Sequence, residues 1–379
     1  MRFWVSCLLL VLLAACGGGD DTSDTWTRCI DSNEGEAGAA AVPGLEVELG
    51  TVDPVIPVAA QDQTLLIYEL SILNSSDAQV ELVRVGATSG ERLVASYEGA
   101  TLRSRVSSGS TQIDAGCEVL VFMWLLVPHD VATQGVTNVV TMRTGGGDGQ
   151  EVERRLQIPI VDEAPLVLGP PMRGDSWLAT NNTDSSAHSR TIEEFDGVVR
   201  IPLRFAIDWA RLGPNGREYS GDFANNADHH AYGADLLAVA DGTIEAVTDG
   251  VPENVPGQTP AIPITLDTRG GNLVILDIGD GRYVTYAHLI PGSLTVRVGD
   301  RVNPGDVLGK VGNSGSSGGP HLHFHVSEIF DTQNASGLNG KGLPFVFESF
   351  EILDEGPHAG VRMLEIPIED AIIGFPDPR

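Results

Sequence analysis

Basic residues are scarce in this chain. Its 379 residues hold 23 Lys and Arg against 52 Asp and Glu, a formal net charge of −29. Nucleic acid and anionic membrane surfaces are held by clustered Lys and Arg, so neither is expected as a partner. Aromatic residues make up only 6%, and no long window keeps apolar residues at helical spacing, so few helices are expected. The glycine-rich loop at 312–319 is not followed by Gly-Lys-Ser/Thr, which argues against nucleotide binding. Cysteine is rare as well, with four in all, two of them within the first 16 residues. What is plentiful is glycine (45), proline (22) and apolar side chains (42%), a balance that fits turn-rich β structure in a chain long enough for two domains.

The N-terminus reads as an export signal. Met1 to Cys16 has one positive charge, a short apolar run and a small-residue exit. That run falls short of the about 20 residues that cross a bilayer. Leu13-Ala14-Ala15-Cys16 resembles the lipobox of bacterial lipoproteins, which implies lipidation of Cys16, a membrane attachment through that lipid and a periplasmic address. By the same resemblance Gly17, in place of Asp, favours the outer membrane. Cys29 and Cys117 remain, and in an exported chain such a pair is expected to form a disulfide.

Five segments follow from composition. Residues 1–16 are the signal and 17–42 a polar, flexible tether. In 43–165, short strand-like runs such as Thr64–Ile72 and Val119–Val127 alternate with turns, which predicts an immunoglobulin-like β-sandwich. The proline-rich joint at 164–171 opens a second β-rich domain, 166–350, and 351–379 form a tail. In the second domain Asn272–Ile278 and Arg282–His288 flank a Gly-Asp-Gly turn and predict a hairpin, with Tyr286 and His288 expected on one face.

The chemistry concentrates at Gly309–Val326, a glycine-rich loop running into His321-Leu-His-Phe-His325. Alternation along a strand puts His321, His323 and His325 on one side, with Leu322 and Phe324 facing a core. Imidazoles grouped in this way suit zinc, and a catalytic zinc site keeps one position open. The loop glycines let backbone come close to an extended peptide, with Asn313, Ser314 and Gly318 the candidate substrate-loop residues. His129, His229, His230 and His358 read as surface or loop residues.

Several motifs together carry a resemblance: Tyr286-Ala-His-Leu289, the Val-Gly-Asp run from Val298 to Gly309, Gly312-Asn-Ser-Gly to Phe324, and Ala238-Val-Ala-Asp-Gly-Thr-Ile244. Over about 166–350 they resemble the LytM/lysostaphin-type peptidoglycan metalloendopeptidases. The resemblance implies an antiparallel β-sheet groove with one zinc ion, held by a His and an Asp from an early segment and by the second His of His-x-His. That places ligands at His323 and Asp208. The usual motif has its first His four residues before the Asp, where this chain has Arg204, so the first His is expected farther upstream at His188. His230 with Asp235 is the rival pair. By resemblance His288 and His321 are the catalytic pair that does not bind metal, and His325, where the family has Glu or Gln, is a supporting residue. The implied activity is hydrolysis of peptide bonds in peptidoglycan stem peptides or cross-links. A relative without catalysis, binding and activating a cell-wall amidase, is the second reading, separated from the first by whether the ligand set is intact. The run Val298–Leu308 also resembles a lipoyl or biotinyl carrier, but no lysine stands at a hairpin tip.

Overall fold

Two uninterrupted apolar runs form the longest strands of the N-terminal part, Gln63–Asn74 and Cys117–Val127, paired antiparallel along most of their length. A computed structural model of the protein describes residues 25–29, 46–144, 149–182, 188–195, 197–328, 340–354 and 356–376. Cys16, the signal stretch and most of the tether lie outside the described residues. Among those described, the only α-helices are Gly99–Arg103 and His129–Gln134, with single 3-10 turns at His188–Arg190 and Asn226–Asp228, and strand dominates, as the composition predicts. No helix among them is long and apolar enough to cross a membrane.

The N-terminal strands make two five-stranded sheets. One has the order Arg28–Cys29, Cys117–Val127, Gln63–Asn74, Val47–Thr51, with Val58–Ala60 also on Gln63–Asn74. The other has the order Glu151–Gln157, Thr137–Thr144, Val80–Ser89, Arg92–Glu98, with Gln112–Ile113 also on Val80–Ser89. Leu66, Tyr68, Leu70 and Ile72 share a buried cluster with Val80, Leu82, Val140 and Met142, which closes the two sheets on each other. The disulfide Cys29–Cys117 joins the short first strand to the second and closes a sequence separation of 88.

The outward faces of the same two long strands are buried too. Leu65, Ile67, Leu120, Phe122 and Trp124 belong to a cluster that continues into Ile201, Phe205, Phe345 and Phe324. Both runs lack polar alternation because most of each face is covered, the pattern of a strand packed on both sides.

Most of the remaining described strands form an eleven-stranded sheet, with two separate two-stranded pairs beside it. Its middle runs Gly174–Thr180, Ile207–Arg211, Leu322–Glu328, Arg282–Leu289, Asn272–Asp277, Gly242–Thr248, each antiparallel to the next. The tail joins this sheet: Ile372–Phe375 lies between Phe345–Ile352 and Gly174–Thr180, and Gly360–Glu365 pairs with Phe345–Ile352. Leu322 and Phe324 enter the core, and Phe324 meets Tyr286 edge to face at 5.4 Å.

Candidate metal centre

Cross-strand register builds the first half of the site. Asp208, near the start of Ile207–Arg211, sits directly opposite His323, and Ala287 flanks His323 on its other side. Residues facing each other in an antiparallel pair share a face and lie within reach. His323 Nδ1 is accordingly 2.9 Å from Asp208 Oδ1, and both residues are buried.

His188 arrives from outside the sheet, on the single turn His188–Arg190. Its Nε2 lies 3.6 Å from Asp208 Oδ2, and its ring meets that of His323 edge-on at 4.8 Å between centroids. One ligand atom each from His188, Asp208 and His323 lies within 4.8 Å of the others. Bonds of about 2.0–2.1 Å in a tetrahedral site space the donors about 3.4 Å apart, so two imidazoles and a carboxylate at these separations fit zinc. Asn181 Nδ2 donates to Asp208 Oδ2 at 2.9 Å. Nothing in residue type or spacing marked Asn181; it sits there because Thr180 pairs with Asp208 and the chain then turns at a positive φ of 56°.

His288 and His321 stand alongside, 4.9 Å apart between ring centroids, with His288 5.8 Å from His323. His288 Nδ1–H donates to the Ser314 carbonyl and His321 Nδ1–H to the Gly319 carbonyl, each at 2.8 Å. Carbonyls only accept, so in the neutral form of each ring Nε2 is the acceptor nitrogen. His321 Nε2 is 3.6 Å from Asp208 Oδ2. The expectation that Tyr286 and His288 share a face is corrected here. Tyr286 is in the core, where its hydroxyl accepts from the Val239 amide, while His288 joins the histidine cluster. The left-handed φ of 68° at His288 breaks the two-residue alternation at the strand's end.

Burial and charge set the protonation states. Burial works against ionised Asp208, but the His188, His321 and His323 rings around it more than reverse this and hold its carboxyl well below the usual range. Burial lowers His188 to about 4, against the pull of Asp208. Burial, then the neighbouring His321 and His323, also push His288 well down. Neutral His188 has a lone pair to give a metal. His323 Nε2 is held by His325 Nδ1 at 3.0 Å, so His325 touches the other nitrogen of a ligand candidate.

The remaining candidates are placed elsewhere. His230 hydrogen-bonds Ser220 and Asp235 pairs with Lys310, so the rival pair is not brought together. His229, read as a surface or loop residue, lies between named elements and is buried: its Nε2–H donates to the Phe223 carbonyl, and its ring packs on Tyr219 and Phe223. His129 is exposed, as expected, and bonds Thr64. The Asn313 and Ser314 side chains are fully buried and brace the loop from within, Asn313 donating to Asn226 and Ser314 Oγ to the Leu289 carbonyl. The Gly318 carbonyl accepts from the Gly257 amide. Close backbone approach by the loop is internal: Gly315, at a φ of 76°, would place a Cβ 2.4 Å from the Gly271 nitrogen.

A His/Asp/His donor set with two more imidazoles beside it, presented by an antiparallel sheet, could hold a metal ion. Comparison with known proteins is more specific, since residues 228–337 match the model of Peptidase family M23. The matched span holds His288, His321 and His323, while His188 and Asp208 precede it. The chain is 43% identical over 60 residues to Endolysin 2638A of Staphylococcus phage 2638A, covering 15% of this chain and 12% of the endolysin. It is 30% identical over 90 residues to the peptidoglycan DD-endopeptidase ShyA of Vibrio cholerae, covering 24% of this chain and 20% of ShyA. The matched stretch thus spans about a fifth or less of each of these relatives. Among solved structures, the catalytic domain of the prophage-encoded M23 protein EnpA from Enterococcus faecalis is 20% identical over 48% of this chain and 93% of its own, with a TM-score of 0.26. A zinc-containing peptidase from Vibrio cholerae is 14% identical over 76% of this chain and 83% of its own, with a TM-score of 0.23.

Proposed function

We propose that the protein is a zinc endopeptidase cutting peptide bonds in peptidoglycan stem peptides or cross-links. The observation that carries this is the convergence of His188, Asp208 and His323 with the His288–His321 pair beside them. His188 Nε2, an Asp208 oxygen and His323 Nδ1 would hold the ion. Zinc bound there supplies Lewis acidity towards a carbonyl and makes water more acidic near neutral pH. With Nδ1 given to the metal, His323 carries its hydrogen on Nε2 and donates it to His325 Nδ1, which fixes the ring. The Nε2 atoms of His288 and His321 accept a proton from the attacking water and return it to the leaving amine, their rings oriented by the Ser314 and Gly319 carbonyls.

The intact donor set counts against a purely regulatory role with a cell-wall amidase as partner. Export, lipidation at Cys16 and an outer-membrane, periplasmic address complete the proposal. So does a division into an immunoglobulin-like unit at 43–165, a peptidase unit at 166–350 and the tail. The test is incubation of the purified mature protein with cross-linked peptidoglycan. Muropeptides are expected to be released, release to stop with a chelator and return with zinc, and His323→Ala to hold no zinc. Full zinc occupancy without release would refute the enzymatic reading.

A further inference from the structure

Arg204 stands four residues before Asp208, and its side chain contacts Glu69 and Asp53 of the N-terminal part. Its guanidinium is 3% exposed and reaches the N-terminal sheets. Nε donates to Glu69 Oε1 at 3.0 Å, and Nη2 donates to Glu69 Oε2 and, at 2.9 Å, to Asp53 Oδ2. Glu69 is 1% exposed and lies on Gln63–Asn74, on the strand face that carries Leu65 and Ile67. A two-pronged Arg–carboxylate contact fixes direction as well as distance. An apolar pair would give such a contact as much stability, so what the charges add is geometry. Between Arg204 and Asp208 there is no slack: every residue from Ile201 to Ala210 is buried, and the turn at 201–206 is closed by the Arg204 and Ala206 amides.

The segment bearing His188 is fastened to the same sheets. Arg190, in the same turn, lies over the Phe122 ring at 5.5 Å. Phe122 stacks on Trp124 at 5.7 Å, and Arg105 stands over both Trp124 and Tyr97. The hairpin after it, Glu193–Phe195 with Val198–Arg200, meets the first strand: Trp26 Nε1–H donates to Glu194, and Arg28 to the Gly197 carbonyl at 3.1 Å. The disulfide to Cys117 holds that strand in place.

We infer that the N-terminal sheets are a positioning half of the metal centre: Glu69 and Asp53, through Arg204, and Phe122, through Arg190, hold the two segments that deliver Asp208 and His188. The large sheet registers His323 and pairs Asp208 with it, and Arg204 fixes the turn that leads into Asp208. The inference rests on the reading of His188, Asp208 and His323 as metal ligands.

The experiment uses the full chain with its disulfide intact. Zinc affinity is measured by competition with a chromophoric chelator, and ligand geometry by the visible absorption of the cobalt(II)-loaded protein. Arg204→Met would strand the buried Glu69 carboxylate, so the informative variants are Arg204→Lys, Glu69→Gln and Phe122→Leu, each checked for folding by near-ultraviolet circular dichroism. Each is expected to weaken zinc by about tenfold or more, the loss typical when support behind a ligand is removed, and to shift the cobalt bands. Val140→Ala, a cavity between the two N-terminal sheets, lowers stability without touching either fastening and should leave both readouts unchanged. Unaltered affinity and cobalt spectrum in the three folded variants would overturn the inference, as would an equal loss in Val140→Ala. A wild-type chain that binds no zinc would instead overturn the metal reading beneath it.

Discussion

Acidification of the metal-free protein is the most direct probe of the buried histidines. His188 titrates at about 4 in the folded chain against an ordinary 6.5, because burial disfavours its charged form. Between these values the unfolded chain binds a proton that the folded chain does not, so stability rises with pH and is lost as pH falls. Each tenfold difference in proton affinity is worth about 1.4 kcal/mol, so His188 alone removes about 2 kcal/mol between pH 7.5 and pH 5 and about 3 kcal/mol by pH 4. His288, pushed down by burial and by His321 and His323, acts in the same direction. Asp208, held low, also loses its contribution on acidification, but only near and below its ordinary 3.8, and pH 5 stays above that. The assay is urea unfolding of chelator-treated protein at both pH values, with His188→Gln alongside. The variant should lose about 2 kcal/mol less than the wild type across the interval. Equal losses in the two proteins would show that His188 is not held neutral by burial, and the reasoning would fail.

His288→Ala and His321→Ala should each keep stoichiometric zinc by elemental analysis while cutting the hydrolysis rate by about 10²–10⁴. Loss of zinc from either would move that residue into the ligand set. Gly315→Ala combines a left-handed φ with a Cβ pressed against the Gly271 backbone, and should destabilise the protein by about 2 kcal/mol or more in urea unfolding. An unchanged midpoint would mean the loop relaxes freely. Cys29→Ser with Cys117→Ser opens the closed loop and should cost about 2–4 kcal/mol, read as a lower melting temperature; no drop would show that strand pairing alone holds the N-terminal strand.

Much of this protein was decided locally. Turn residues between short apolar runs determined an all-β chain, and alternation along His321–His325 put three imidazoles opposite Leu322 and Phe324, because side-chain direction in a strand depends on sequence alone. The apolar runs at 64–72 and 119–127 announced strands, but a run without alternation cannot say what covers its second face; the larger sheet and its neighbours do. Alternation also failed at His288, where one positive φ turns the ring to the other side. Asp208 and His323 are 115 residues apart in sequence, and only strand register sets them opposite each other. Arg204 appeared in the sequence as a missing histidine. Its reason lies in Glu69 and Asp53, partners brought to it from more than a hundred residues away, because a buried guanidinium must find carboxylates wherever the fold places them.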